Sequence, residues 1–183
     1  MAKKAAAILI TLALLGSSAA FAQQPREDLQ VFRDISNQVN RYTQFTIFDS
    51  VSASVDNGGV TLQGWVTMPY KRDDIERRVR KVDGVTAVRN DIQVLPVSQF
   101  DSELRFRIAR AIYGNSSFWN YAAMANPPIH IIVNRGRVTL VGVVNNNVER
   151  VLARSLATGF GAFDVKNELK TDAEVQAELE KIS

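Results

Sequence analysis

Apolar residues recur along this chain with two alternating periods. Phe32, Ile35, Val39 and Tyr42 return at helical spacing. Val51, Ala53 and Val55 then alternate with Ser52 and Ser54, the period of a strand with one buried face. Asn57-Gly58 is a hairpin signal, because a primed turn needs the positive φ that Asn and Gly tolerate. The returning strand presents Val60, Leu62 and Val66 to the same side. Pro69 suits a helix start, where a missing N–H costs nothing. Ile75, Val79 and Val82 mark the inner stripe of that second helix, and Gly84 ends it. Val85 to Val94 alternates again as a third strand, which Pro96 stops. The order is αββαβ.

The order then repeats. Leu104, Ile108 and Ile112 form a first stripe. Ile129 to Val133 and Val138 to Val144 form a hairpin around Arg135-Gly136. Asn145 to Asn147 offers cap residues for a helix striped by Val148, Val151, Leu152 and Leu156. Gly161 closes it, and Phe163 to Leu169 is the last strand. Residue by residue, Gly58, Val60, Thr61, Leu62 and Gly64 match Gly136, Val138, Thr139, Leu140 and Gly142. Further on, Gly84, Val88 and Asn90 match Gly161, Val165 and Asn167 at nearly the same spacing. Generic hairpin similarity accounts for the first block and not for the second.

Helices with one apolar stripe and strands with one apolar face bury both in two layers. The expected fold class is therefore α+β: two αββαβ modules, each a three-stranded sheet with two helices packed on one face. Gly64 and Gly142 stand mid-strand, where glycine marks a bulge or a close approach, and a crossing helix is expected there.

Lys3 and Lys4, an apolar run from Ala5 to Leu15, and Ala20-Phe21-Ala22 before Gln23 are the three parts of a secretory signal peptide. That run is too short for the ~30 Å of a bilayer core. The expected organisation is a signal peptide at 1–22, an extension at 23–27 and a first module at 28–95. A linker at 96–99, a second module at 100–170 and an acidic tail at 171–183 follow. The tail is expected to form a terminal helix.

Composition narrows the chemistry. The 183 residues contain no Cys and one His, which excludes disulfides, thiolate sites and histidine clusters. Neither a phosphate-binding loop nor a dinucleotide fingerprint is present, and nothing places His130 in a triad. No catalytic residue, metal or cofactor is expected. Charge is divided unequally: residues 28–95 hold nine basic and nine acidic side chains, and residues 100–170 hold nine and five. The second module is the better candidate for an anionic surface.

The pattern Gly58…Val60-Thr61-Leu62-Gln63-Gly64…Gly84…Val88-Arg89-Asn90, repeated as Gly136…Val138-Thr139-Leu140-Val141-Gly142…Gly161…Val165-Lys166-Asn167, resembles the BON domain. The family is named for bacterial osmotically induced and nodulation proteins. Asn126-Pro127-Pro128-Ile129 also looks like that family. The resemblance covers nearly all of the chain after the leader. It implies a periplasmic protein that binds phospholipid membranes and supports envelope integrity or osmotic stress tolerance. Some relatives act as chaperones, so unfolded or outer-membrane proteins are further implied partners. The family motif names no catalytic residues.

Two surfaces follow from the residues themselves. Arg105, Arg107 and Arg110 on the first helix of the second module, with Phe118, Trp119 and Tyr121 in the next loop, pair basic side chains with aromatics. That combination suits an anionic phospholipid surface. The competing reading is a solvated helix face beside aromatics anchored in a core. The second surface is the outer sheet face His130, Ile132, Thr139, Val141 and Val143. Either it packs against the first module, or it is an apolar site for lipid or for the clients of a periplasmic holdase-type chaperone or protein-interaction module. Nucleic acid is not an expected partner.

Overall fold

The computed structural model describes residues 27–180. The signal-peptide assignment and most of the extension lie outside them. The described chain forms α1 (Asp28–Asn40), β1 (Ser50–Asp56), β2 (Gly59–Val66), α2 (Pro69–Val79) and β3 (Ala87–Val94). It continues with α3 (Gln99–Tyr113), a short 3-10 turn (Ser116–Phe118), α4 (Trp119–Ala122), β4 (Ile129–Asn134) and β5 (Arg137–Val144). Then come α5 (Asn147–Thr158), β6 (Asp164–Thr171) and α6 (Asp172–Glu180). Each module is a three-stranded α+β unit with its hairpin return strand in the middle: β1-β2-β3 and β4-β5-β6. The hairpins are antiparallel, and the third strand pairs parallel to the middle one through the intervening helix.

Each module has its own core. Val31, Ile35, Val39, Leu62, Ile75 and Val79 are central to the first, and Leu104, Ile108, Phe118, Ile131, Leu140 and Ala157 to the second. Two stripes differ from the sequence expectation. In α1 the buried line is Val31, Ile35 and Val39, continued by Tyr42 just past the helix end, and Phe32 lies on the flank. In α5 the buried pair is Ala153 and Ala157, flanked by Leu152 and Leu156, while Val148 and Val151 are exposed. Both helices offer two overlapping apolar stripes, and in α5 the stripe that is buried carries the small alanines.

The mid-strand glycines are needed for a different reason than a crossing helix. Gly64 and Gly142 have φ of 131° and 127°. A Cβ at either position would overlap the carbonyl oxygen of Ser50 or Pro128, at the start of the neighbouring strand. The close neighbour is backbone of the same sheet.

The connection from α1 to β1 ties the modules together. The Ile131 N–H, on the free edge of β4, donates to the Ile47 carbonyl at 2.7 Å. His130 Nδ1 lies 2.6 Å from the Asp49 carbonyl. A carbonyl only accepts, so Nδ1 carries the proton. Asn126 Nδ2 donates to the Asn40 carbonyl at 2.9 Å. Phe45 rests against the His130 ring, and Phe48 meets Phe106 edge to face at 5.2 Å while packing on the second core. The outer sheet face of the second module therefore packs against the first: Ile132 is buried, and His130, Val141 and Val143 are half-buried.

Candidate functional site

Ser98 caps α3 by accepting the Asp101 N–H. Beyond the cap the helix buries Asp101, Leu104, Arg105, Ile108 and Ile112 on one side. Arg105 thus points inward, where Nη2 donates to the Val133 carbonyl at 2.6 Å. Burial pulls its guanidinium pKa down, against the support of Asp101 and Asp49. Arg107 and Arg110 face outward. Arg107 reaches Glu103 one turn back at 3.2 Å, a pair screened by solvent.

The aromatic triplet divides in the same way. Phe118 is fully buried and stacks on Tyr121, 6.0 Å between ring centres. The Tyr121 hydroxyl donates to Glu149 at 2.6 Å and accepts the Asn145 N–H at 3.0 Å. Its pKa is pushed up to about 12 by burial and by the Glu149 carboxylate. Trp119, between them, is 71% exposed. A short helical turn puts residues three apart on one side and sends the one after the first outward. Of the six residues expected to meet lipid, Arg107, Arg110 and Trp119 are on the surface. Arg105, Phe118 and Tyr121 build the module.

The six glycines of the repeated pattern, Gly58, Gly64, Gly84, Gly136, Gly142 and Gly161, all have positive φ. Two further repeated letters are scaffold as well. Asn90 Nδ2 donates to the Arg72 carbonyl and Asn167 Nδ2 to the Arg150 carbonyl, tying the last strand of each module to its second helix. Asp28 accepts both turn N–H groups of the first hairpin, from Asn57 and Gly58. Asp101 does the same for Arg135 and Gly136, both at 2.8 Å. An aspartate three residues before the first fully buried apolar helix residue of each copy, Val31 and Leu104, is the shared feature.

The most concentrated electrostatics lies at the joint. Asp49 is fully buried, and its carboxylate accepts from Thr46 N and Oγ1, Thr67 N and Oγ1, and Lys71 Nζ at 2.6 Å. Burial opposes its charge, but these donors together hold its pKa below the usual carboxylate range. His130 beside it is pulled below the usual imidazole value by burial, against the backbone carbonyls of Asp49 and Thr46. Among the described residues no group of three or more His, Asp or Glu could hold a metal ion, and no helix is long and apolar enough to cross a membrane.

The BON domain family model matches residues 33–96 and again residues 101–179. The chain belongs to the BON domain family and carries two copies of the domain. A comparison with the curated proteins finds no match. Among solved structures the chain is similar to CdsD, a structural protein of the Type III secretion system of Chlamydia trachomatis. The identity there is 14%, covering 82% of this chain and 97% of that one, with a TM-score of 0.29. The C-terminal domain of CdsD gives 12% identity, 79% and 98% coverage and the same TM-score.

Proposed function

We propose that this is a non-catalytic periplasmic envelope protein whose second BON module binds anionic phospholipid surfaces and so supports envelope integrity or osmotic stress tolerance. The carrying observation is the outward face of α3 and the turn after it. Arg107 and Arg110 stand free of the core, and Trp119 exposes most of its indole without a structural task. Basic side chains gain about 1 kcal/mol each near an anionic leaflet, and Trp sits at the headgroup level. The excess of four positive charges in residues 100–170 adds a longer-range attraction that the evenly balanced first module lacks.

Co-sedimentation with phosphatidylglycerol vesicles tests this. Binding is expected to exceed that to neutral vesicles and to weaken with salt. Combined Arg107→Gln, Arg110→Gln and Trp119→Ser replacement is expected to lower it without changing the circular dichroism spectrum. Equal sedimentation with neutral and anionic vesicles would remove the electrostatic reading. The chaperone alternative rested on the apolar outer sheet of the second module. The Phe45–Asp49 connection packs there, so that alternative has lost its main support.

A further inference from the structure

The duplication supplies its own control, because the same tip is built twice with different side chains. In the first module the hairpin turn hangs on Asp28, and the Thr86 N–H donates to the Gly58 carbonyl at 2.9 Å. In the second the turn hangs on Asp101, and the Phe163 N–H donates to the Gly136 carbonyl at 2.8 Å. The backbone construction is the same. The positions around it are Glu27, Asn57, Gly59 and Thr86 in the first copy and Phe100, Arg135, Arg137 and Phe163 in the second. The polar set builds the turn, so the fold does not require the aromatic one.

The second tip is also costly to leave in water. Phe100 is 48% and Phe163 77% exposed, and the two rings stack 6.2 Å apart beside Gly136. A Cβ at Gly136 would run into the Phe163 ring, so glycine is what lets the ring lie against the turn. Arg135 and Arg137 are exposed on either side, and neither makes an ion pair among the described residues. Asp164, opposite Arg137 in the β5–β6 register, and Asp101 beneath the turn match the two arginines in number, but Asp101 is buried while both guanidinium groups are exposed. A turn, a loop and a helix start form an end of the module, not a groove. Paired rings flanked by free guanidinium groups on such an end match a planar anionic interface: rings enter the headgroup–acyl boundary while arginines meet phosphate.

We infer that the aromatic tip Phe100–Phe163, with Arg135 and Arg137, is the part of the second module that inserts into an anionic bilayer. The inference rests on the reading of that module as lipid-binding, and it adds which end penetrates. The tip lies at the start of α3 and Trp119 beyond its end, so a helix of 15 residues, about 22 Å long, separates them.

The chain has no cysteine, so single-cysteine labelling with an environment-sensitive fluorophore is unambiguous. The exported chain is labelled at Phe163→Cys, at Thr86→Cys on the equivalent tip of the first module, and at Trp119→Cys. Each is titrated with phosphatidylglycerol vesicles while sedimentation is followed in parallel. A blue shift at 163 and none at 86 is the expected result, with or without a shift at 119. Phe100→Ser with Phe163→Ser is expected to weaken vesicle binding about tenfold or more, the loss of roughly one buried ring. Sedimentation that persists with no shift at 163, or with equal shifts at 163 and 86, would overturn the tip and leave lipid binding standing. Absence of sedimentation with any anionic vesicle would overturn both.

Discussion

Replacing Lys71 by Met tests the joint most directly. The ammonium is buried beside a carboxylate with no exposure of its own, and it donates to Asp49 at 2.6 Å and to Thr67 Oγ1 at 2.8 Å. Met keeps most of the stem volume and removes the charge. Asp49 then retains four neutral donors from Thr46 and Thr67 but no counter-charge. Breaking a buried pair from one side costs about 3–5 kcal/mol. The four remaining donors place the expected loss near the lower end, about 3 kcal/mol. Against a total of about 5–15 kcal/mol this is a large fraction, and at about 2–4 °C per kcal/mol it lowers Tm by roughly 10 °C. Urea unfolding followed by circular dichroism measures it. Adding Asp49→Asn removes the stranded charge, so the double variant should recover at least about 1 kcal/mol of the loss. A single-variant loss below about 1 kcal/mol, or a double variant simply additive, would refute the claim that charge burial at this joint controls stability.

Two more tests follow from the same packing. Acid should weaken the fold in two stages. His130 is held low in the folded chain, so above about pH 6.5 both states are neutral and stability is flat. Below that the unfolded chain takes up the proton first and stability falls. Asp49, also held low, adds a second fall below about pH 4 as the unfolded carboxylate protonates first. Urea midpoints that rise from pH 7 to pH 5 would contradict the first stage. Gly142→Ala is expected to cost at least about 2 kcal/mol, since it combines an unfavourable φ with overlap on the Pro128 carbonyl. Gly159→Ala, where nothing lies within 4 Å of the new methyl and φ is −78°, should be neutral or stabilising by about 0.4–1 kcal/mol. Equal effects at the two glycines by thermal unfolding would refute the backbone argument.

The parts of the molecule that the sequence makes legible are those governed by period and turn chemistry. Asn57-Gly58 and Arg135-Gly136 are the two hairpin turns, and the alternation of Val51, Ala53 and Val55 marks a strand with one inward face. Choices between two equally periodic answers were less legible. In α5 the valines at 148 and 151 look more apolar than Ala153 and Ala157, yet the alanines are the buried pair, and side-chain hydropathy does not announce that choice. Lys71 sits in a run of mixed charge that reads as a solvated helix face. Its partner lies 22 residues earlier in a connection with no period at all, so nothing local announces the burial. Arg105 was hidden for a related reason: one arginine of three on a helix turns inward when a β4 carbonyl waits for it.

The first module shows what the second is relieved of doing. It is evenly charged and its hairpin tip is polar, yet its α1–β1 connection supplies Phe45, Ile47, Phe48 and Asp49 to the joint. Asp49 and Lys71 fix that connection to the first module while Ile47 and Asp49 present carbonyls to the second. The free edge of β4, which would otherwise invite pairing with another strand, is engaged at Ile131. The joint lies on the sheet face and β4 edge of the second module and reaches α3 at Phe106, and it leaves Arg107, Arg110 and the Phe100–Phe163 tip exposed. The two copies are thus unequal: the first supplies the connection that braces the joint, and the second carries the stacked, exposed Phe100–Phe163 pair at its hairpin tip.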